Sequence, residues 1–210
     1  MTTHHPRQFP VILMTGTPGT GKSTTAALLA SSSSIPLKHL NISDIVKENS
    51  FHEGWDEEWN SWTLDEDRLL DYLEDVINPR DAPATTGFII DHHSPSLKTG
   101  KAKTSCINCS SFYSLGWLTP SRLSAISSNS KYKANKIQEN VSAEIMEVIS
   151  AETRESYEPE IVVELRSDGL VDNEMDDNVR RIEEWCANWI KNSVERELAE
   201  GDGAAEESDE

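Results

Sequence analysis

The sequence predicts an α/β domain built on a parallel sheet, and three observations point there. A short apolar run at residues 10–15, PVILMT, ends in a Gly-rich turn, GTPGTG, which opens into the helix-forming stretch KSTTAALLA. A second apolar run, GFIID at 87–91, ends in an acid, and a third, EIVVEL at 160–165, follows a long helical stretch. Apolar runs short enough to be strands, alternating with amphipathic segments, are the pattern of strands buried on both faces beneath helices.

The elements follow in order. After the first strand, loop and helix, NISDIVKENS at 41–50 reads as a short helix. The next stretch, FHEGWDEEWNSW, mixes acids with three tryptophans and has no clean period. Thr63 to Glu66 has capping-box spacing and opens a helix with Leu69, Leu70, Leu73, Val76 and Ile77 on one face, closed by Asn78 and Pro79. Residues 135–157 read as one long amphipathic helix through Ile137, Val141, Ile145, Val148 and Ile149. Residues 174–198 form a last helix with Val179, Ile182, Trp185, Trp189 and Ile190 inward. The end, EGDGAAEESDE, is too polar to bury a core and is expected to be disordered.

Composition narrows the function. The 210 residues carry 19 basic and 37 acidic side chains, a net charge of −18, and 36% of them are hydrophobic. The last sixteen residues hold eight acids and one arginine, so the body is acidic as well. Such a surface repels a nucleic-acid backbone and favours a basic protein partner. No run of about 18 apolar residues suggests a membrane span, and the start, MTTHHPRQFP, lacks the apolar core of a secretory signal. Three cysteines (Cys106, Cys109 and Cys186) without such a signal read as a reducing compartment, and the N-x-S matches at Asn41, Asn108 and Asn140 then read as chance.

The strongest motif is GTPGTGKS at 16–23, which meets G-x-x-x-x-G-K-[ST] at every fixed position between a strand and a helix. Glycines such as Gly19 and Gly21 let backbone N–H groups turn inward and approach phosphate oxygens closely. Lys22 supplies a charge to the β- and γ-phosphates, Ser23 a hydroxyl for Mg²⁺, and Thr24 a donor to an α-phosphate oxygen, while the helix N-terminus adds its positive end. Asp91, at the tip of a buried strand, is the expected second group for Mg²⁺ or its water, with His93 two residues on.

Other groupings carry less. Cys106 and Cys109 have zinc or redox spacing without a second pair, so chance is the favoured reading. Trp55, Trp59 and Trp62 read as a packed face on a small lobe, or as a surface near an acceptor nucleotide. Lys47 is a candidate for an acceptor phosphate, and Arg68 reads as a surface ion pair. From Ser94 to Lys131 there are eleven serines, no acid and no clear buried strand, the mark of an insert or of an altered reading frame or splice.

Taken together, these blocks resemble the adenylate kinase isoenzyme 6 family of small nuclear ATPases. The resemblance is carried by ILMTGTPGTGKST at 12–24, by LNISDIVKEN, EGWDEEW and LDEDRLLDYLED within 40–75, by IIDHH at 89–93, and by residues 136–165, about two-thirds of the chain. It implies a three-layer P-loop nucleoside monophosphate kinase fold over 10–198, after a flexible N-terminus at 1–9 and before an acidic tail at 199–210. Residues 39–62 would form the lobe over the nucleoside monophosphate. Gly19, Gly21, Lys22, Ser23 and Thr24 would bind ATP, Ser23 and Asp91 would hold Mg²⁺, and Lys22, Asp91 and His93 would be catalytic. It further implies phosphoryl transfer from ATP to AMP together with ATPase activity, a basic platform protein of the small ribosomal subunit as partner, a role in the maturation of that subunit, residence in nucleus and cytoplasm, and a monomer or homodimer. An ATP-switched assembly factor with little kinase activity is the alternative, or an inactive product if residues 94–131 are mis-spliced. The family's apolar strand ending in Arg, and its lid opening with Arg-Gly-Tyr, are not recognisable in that segment.

Overall fold

The computed structural model describes residues 8–57, 61–79, 85–95, 97, 109–116, 134–157, 159–166 and 173–206. Its centre is a five-stranded sheet of β1 (Val11–Thr15), β2 (Leu37–Asn41), β5 (Gly87–Asp91), β6 (Cys109–Gly116) and β7 (Val162–Arg166), in the order β2-β5-β1-β6-β7. Every pairing in it is parallel. A two-stranded antiparallel hairpin, β3 (His52–Asp56) and β4 (Ser61–Leu64), stands apart from it.

Alternation along the strands divides the core in two. Val11 and Leu13 of β1, with Phe88 and Ile90 of β5, face the helices α2 (Ile42–Asn49) and α3 (Glu66–Ile77) through Ile45, Leu69, Leu73 and Ile77. Ile12, Met14 and Ile89 face the opposite layer, α1 (Lys22–Ser32) and the C-terminal helix α6 (Glu174–Glu206), through Ala26, Leu29, Val179, Ile182 and Cys186. The result is three layers, helix on sheet on helix, as the apolar runs predict.

The sheet brings one substantial correction. No strand is legible between Ser94 and Lys131, yet β6 lies there and pairs with β1 on one side and β7 on the other. Half of its sequence, CSSFYSLG, is serine or glycine, so it lacks the continuous apolar run expected of a central parallel strand. Phe112, Tyr113 and Leu115 carry what β-favouring signal it has. The part of the 94–131 segment that follows β6, residues 117–131, lies outside the described residues.

Three boundaries also move. The helix expected over 135–157 is two, α4 (Ala134–Ile145) and α5 (Val148–Ser156), broken where Glu147 adopts φ 51°. Ile145 and Met146 at that break are exposed rather than inward. The cap of α3 is Asp65, which accepts from the Arg68 N–H at 3.1 Å, whereas Thr63 belongs to β4. Helix α6 runs to Glu206, past the expected end at residue 198. Its buried line is Val179, Ile182 and Cys186, with Trp185 packed at the edge and Trp189 half-buried.

Candidate functional site

β1 and β5 end side by side, with Met14 opposite Asp91, and the loop from β1 to α1 passes over both ends. Gly16, Gly19 and Gly21 have φ 147°, 94° and 88°, values that side-chain-bearing residues rarely adopt. Thr20 closes the turn, its N–H and hydroxyl both bonded to the Thr17 carbonyl. The first bond of α1 follows directly, from the Thr25 N–H to the Gly21 carbonyl at 2.9 Å. Lys22, Thr17 and Thr20 are buried, and Lys22 Nζ donates to the Thr17 carbonyl at 2.9 Å. Ser23, Thr24 and Gly19 face solvent at the mouth of the loop. A buried ammonium in a glycine-rich turn that opens a helix N-terminus is suited to an anion of several charges.

Asp91 closes the site from the sheet. Its carboxylate is buried and accepts from Asn41 Nδ2 at 2.7 Å and from His39 Nε2 at 3.3 Å, with the Ser23 hydroxyl nearby. Burial alone would raise its pKa, but His39, the Ser23 hydroxyl and the charge on Lys22 outweigh it and hold the carboxyl below its ordinary value. A carboxylate kept ionised, near a serine hydroxyl and a lysine, is the donor set that Mg²⁺ with a nucleotide triphosphate uses. The oxygen donors fit that ion. Among the described residues there is no cluster of three or more His, Cys, Asp or Glu of the kind that would bind a metal without a nucleotide.

The sequence-expected residues Gly19, Gly21, Lys22, Ser23, Thr24, Asp91 and His93 thus meet at one end of the sheet. His93 is exposed, its ring 4.4 Å from that of His92. His92 was not singled out by sequence. It is buried, its Nδ1 has no hydrogen-bond partner among the described residues, and burial, followed by the neighbouring His93, lowers its pKa to about 3. His39 and Asn41 were also missed as site residues, because only the pairing of β2 with β5, which sets Asn41 opposite Asp91, brings them there.

The remaining candidates fall elsewhere. Lys47 is on the outer face of α2, exposed and paired with Asp44 at 3.4 Å. Arg68 bonds Asp65 at 3.8 Å and lies over the Phe51 ring, as the surface-pair reading expects. Trp55 and Trp62 are not a buried packed face. They are opposite each other in the hairpin, edge to face at 5.2 Å, and half-exposed. Trp59 and Cys106 lie outside the described residues, and Cys109 begins β6.

The fold and this strand-end site define a P-loop nucleotide-binding enzyme of the kinase type. A family model described as an AAA domain matches residues 12–110. The chain is 40% identical to the adenylate kinase isoenzyme 6 homologue of Schizosaccharomyces pombe over 89% of its length and 97% of that protein's. It is 36% identical to the homologue of Dictyostelium discoideum, over 88% and 96% respectively. The chain belongs to the adenylate kinase isoenzyme 6 family. Its fold is also that of a gluconokinase from Sinorhizobium meliloti, with a TM-score of 0.51 at 12% identity, covering 91% of this chain and 99% of that one.

Proposed function

We propose that the protein transfers the γ-phosphoryl group of ATP to AMP, forming two ADP, and passes it slowly to water as well. The observation that carries this reading is the buried Asp91 carboxylate at the end of β5, close to Ser23 of the phosphate loop and within the field of Lys22. The relatives' name as adenylate kinases supports the acceptor. When bound, Mg²⁺ supplies charge neutralisation between the phosphates, and Ser23 and Asp91 would hold it. The chain's own part is positioning. The loop N–H groups orient the triphosphate, Lys22 leaves the Thr17 carbonyl for the β- and γ-phosphates, and exposed His93 orients the water in hydrolysis. The lobe at residues 39–62 would receive AMP.

The excess of acids over bases favours a second role, in which ATP sets the affinity for a basic protein of the small ribosomal subunit, in nucleus and cytoplasm, during that subunit's maturation. Binding to such a protein and to ATP would then be linked, each altering the affinity of the other by the same factor.

The test is ADP formation from ATP and AMP with Mg²⁺, beside phosphate release from ATP alone. Lys22→Ala is expected to abolish both while the protein stays folded. An active Lys22→Ala protein contradicts the reading. ATP that leaves the affinity for the ribosomal protein unchanged contradicts the second role.

A further inference from the structure

The end of β2 carries two polar side chains that no assigned role uses. His39 and Asn41 are two residues apart on one strand, so they share one face of the sheet. Both reach Asp91, and both land on the same oxygen, Oδ2, at 3.3 Å and 2.7 Å. Two donors on one carboxylate oxygen fix the rotation of that group, and here the carboxylate sits against the serine of the phosphate loop.

Asn41 has a second bond. Its Oδ1 accepts from the Asp44 N–H at 3.1 Å and caps α2. The two ends of one amide therefore serve the helix and the carboxylate at once. A cap needs only an acceptor, and serine or aspartate supplies one equally well. The side chain that supplies the acceptor together with an N–H long enough to reach Asp91 is asparagine.

We propose that Asn41, assisted by His39, is the positioning residue that orients the Asp91 carboxylate for the metal of the ATP complex, and that it ties that carboxylate to the first helix of the acceptor lobe. The metal's use in phosphoryl transfer rests on the function proposed above. The effect on metal-assisted nucleotide binding does not.

That separation sets the experiment. ATP affinity of the full chain is measured with Mg²⁺ and with a chelator, for the unaltered protein and for Asn41→Ser, His39→Ala and His39→Gln, beside the melting temperature of each without ligand. Asn41→Ser keeps the cap but falls short of Asp91. Its melting temperature and its metal-free ATP affinity are expected to stay close to those of the parent. The factor by which Mg²⁺ tightens ATP binding is expected to fall by about tenfold, the lower end of what losing a partner of a metal ligand costs. His39→Ala loses a smaller part of that factor, and His39→Gln, whose amide N–H can stand for Nε2–H, restores it. Equal losses with and without Mg²⁺, no loss in either, or an effect confined to the KM for AMP would overturn the proposal. If the unaltered protein makes no ADP from ATP and AMP, the functional reading fails, and the binding comparison still decides this one.

Discussion

The strand-end site and the β3–β4 hairpin are both rich in polar and aromatic side chains, yet they are held in opposite ways. At the strand ends Lys22 and Asp91 are buried, on a helix and a strand anchored in the two apolar layers. In the hairpin Trp55 and Trp62 touch each other, His52 stacks on Trp62 at 4.2 Å, and both indoles keep about half their surface in water. The site's geometry is inherited from the core. The hairpin's comes from its own cross-strand ladder and ring contacts, each contributing up to about 1 kcal/mol. Pre-organisation for phosphate belongs to the first region and adaptability to the second.

The largest expected effect breaks the core beneath the site. Leu69 is fully buried under β1 and β5, so Leu69→Ala should cost about 2–5 kcal/mol. Urea denaturation checks it. A change below about 1 kcal/mol would mean that α3 is not anchored there, and the contrast with the hairpin would lose its basis.

A smaller effect depends on pH. His92 has its pKa lowered from 6.5 to about 3, so the folded protein keeps it neutral while the unfolded chain takes up a proton. Stability from this source is present above pH 6.5 and is lost as pH falls from there towards 3, with a limiting slope of about 1.4 kcal/mol per pH unit. His93 is shifted in the same direction. Asp91, whose pKa is lowered, contributes above its ordinary value of 3.8 and loses that only as pH falls below it, so it does not mask the trend. His92→Phe should flatten the denaturation midpoint between pH 6.5 and 5. An unchanged slope would place the ring in water.

The smallest effect belongs to the hairpin. Trp62→Ala should cost about 1 kcal/mol, since it removes only the contacts of one half-exposed ring with Trp55 and His52. A loss comparable with that of Leu69→Ala would show that the hairpin is part of the core and erase the distinction.

Legibility in the sequence followed the range of the interactions. GTPGTGKS and GFIID are local signals, and the loop, Lys22 and Asp91 stand where they predict. The roles of His39 and Asn41 depend on β2 lying beside β5, a pairing across some fifty residues that periodicity does not encode. β6 escaped because serines fill a strand expected to be apolar. The break at Glu147 escaped because the apolar period continues through it, and only the left-handed backbone there separates α4 from α5. The pairing of Trp55 with Trp62 depends on the register of β3 on β4, which a stretch without a clean period does not encode.

The central claim is that one chain binds a nucleoside triphosphate at the phosphate loop and a nucleoside monophosphate beside it. Thermal unfolding with Mg²⁺ and the bisubstrate diadenosine pentaphosphate, compared with ATP alone, tests it most directly. A ligand at about a hundredfold its dissociation constant stabilises by about 2.7 kcal/mol, a shift of roughly 5–10 °C for a chain of this size. The account predicts such a shift with the bisubstrate, exceeding that with ATP at equal concentration and lost in Lys22→Ala. A bisubstrate that stabilises no more than ATP would contradict it, leaving a phosphate loop without an acceptor site.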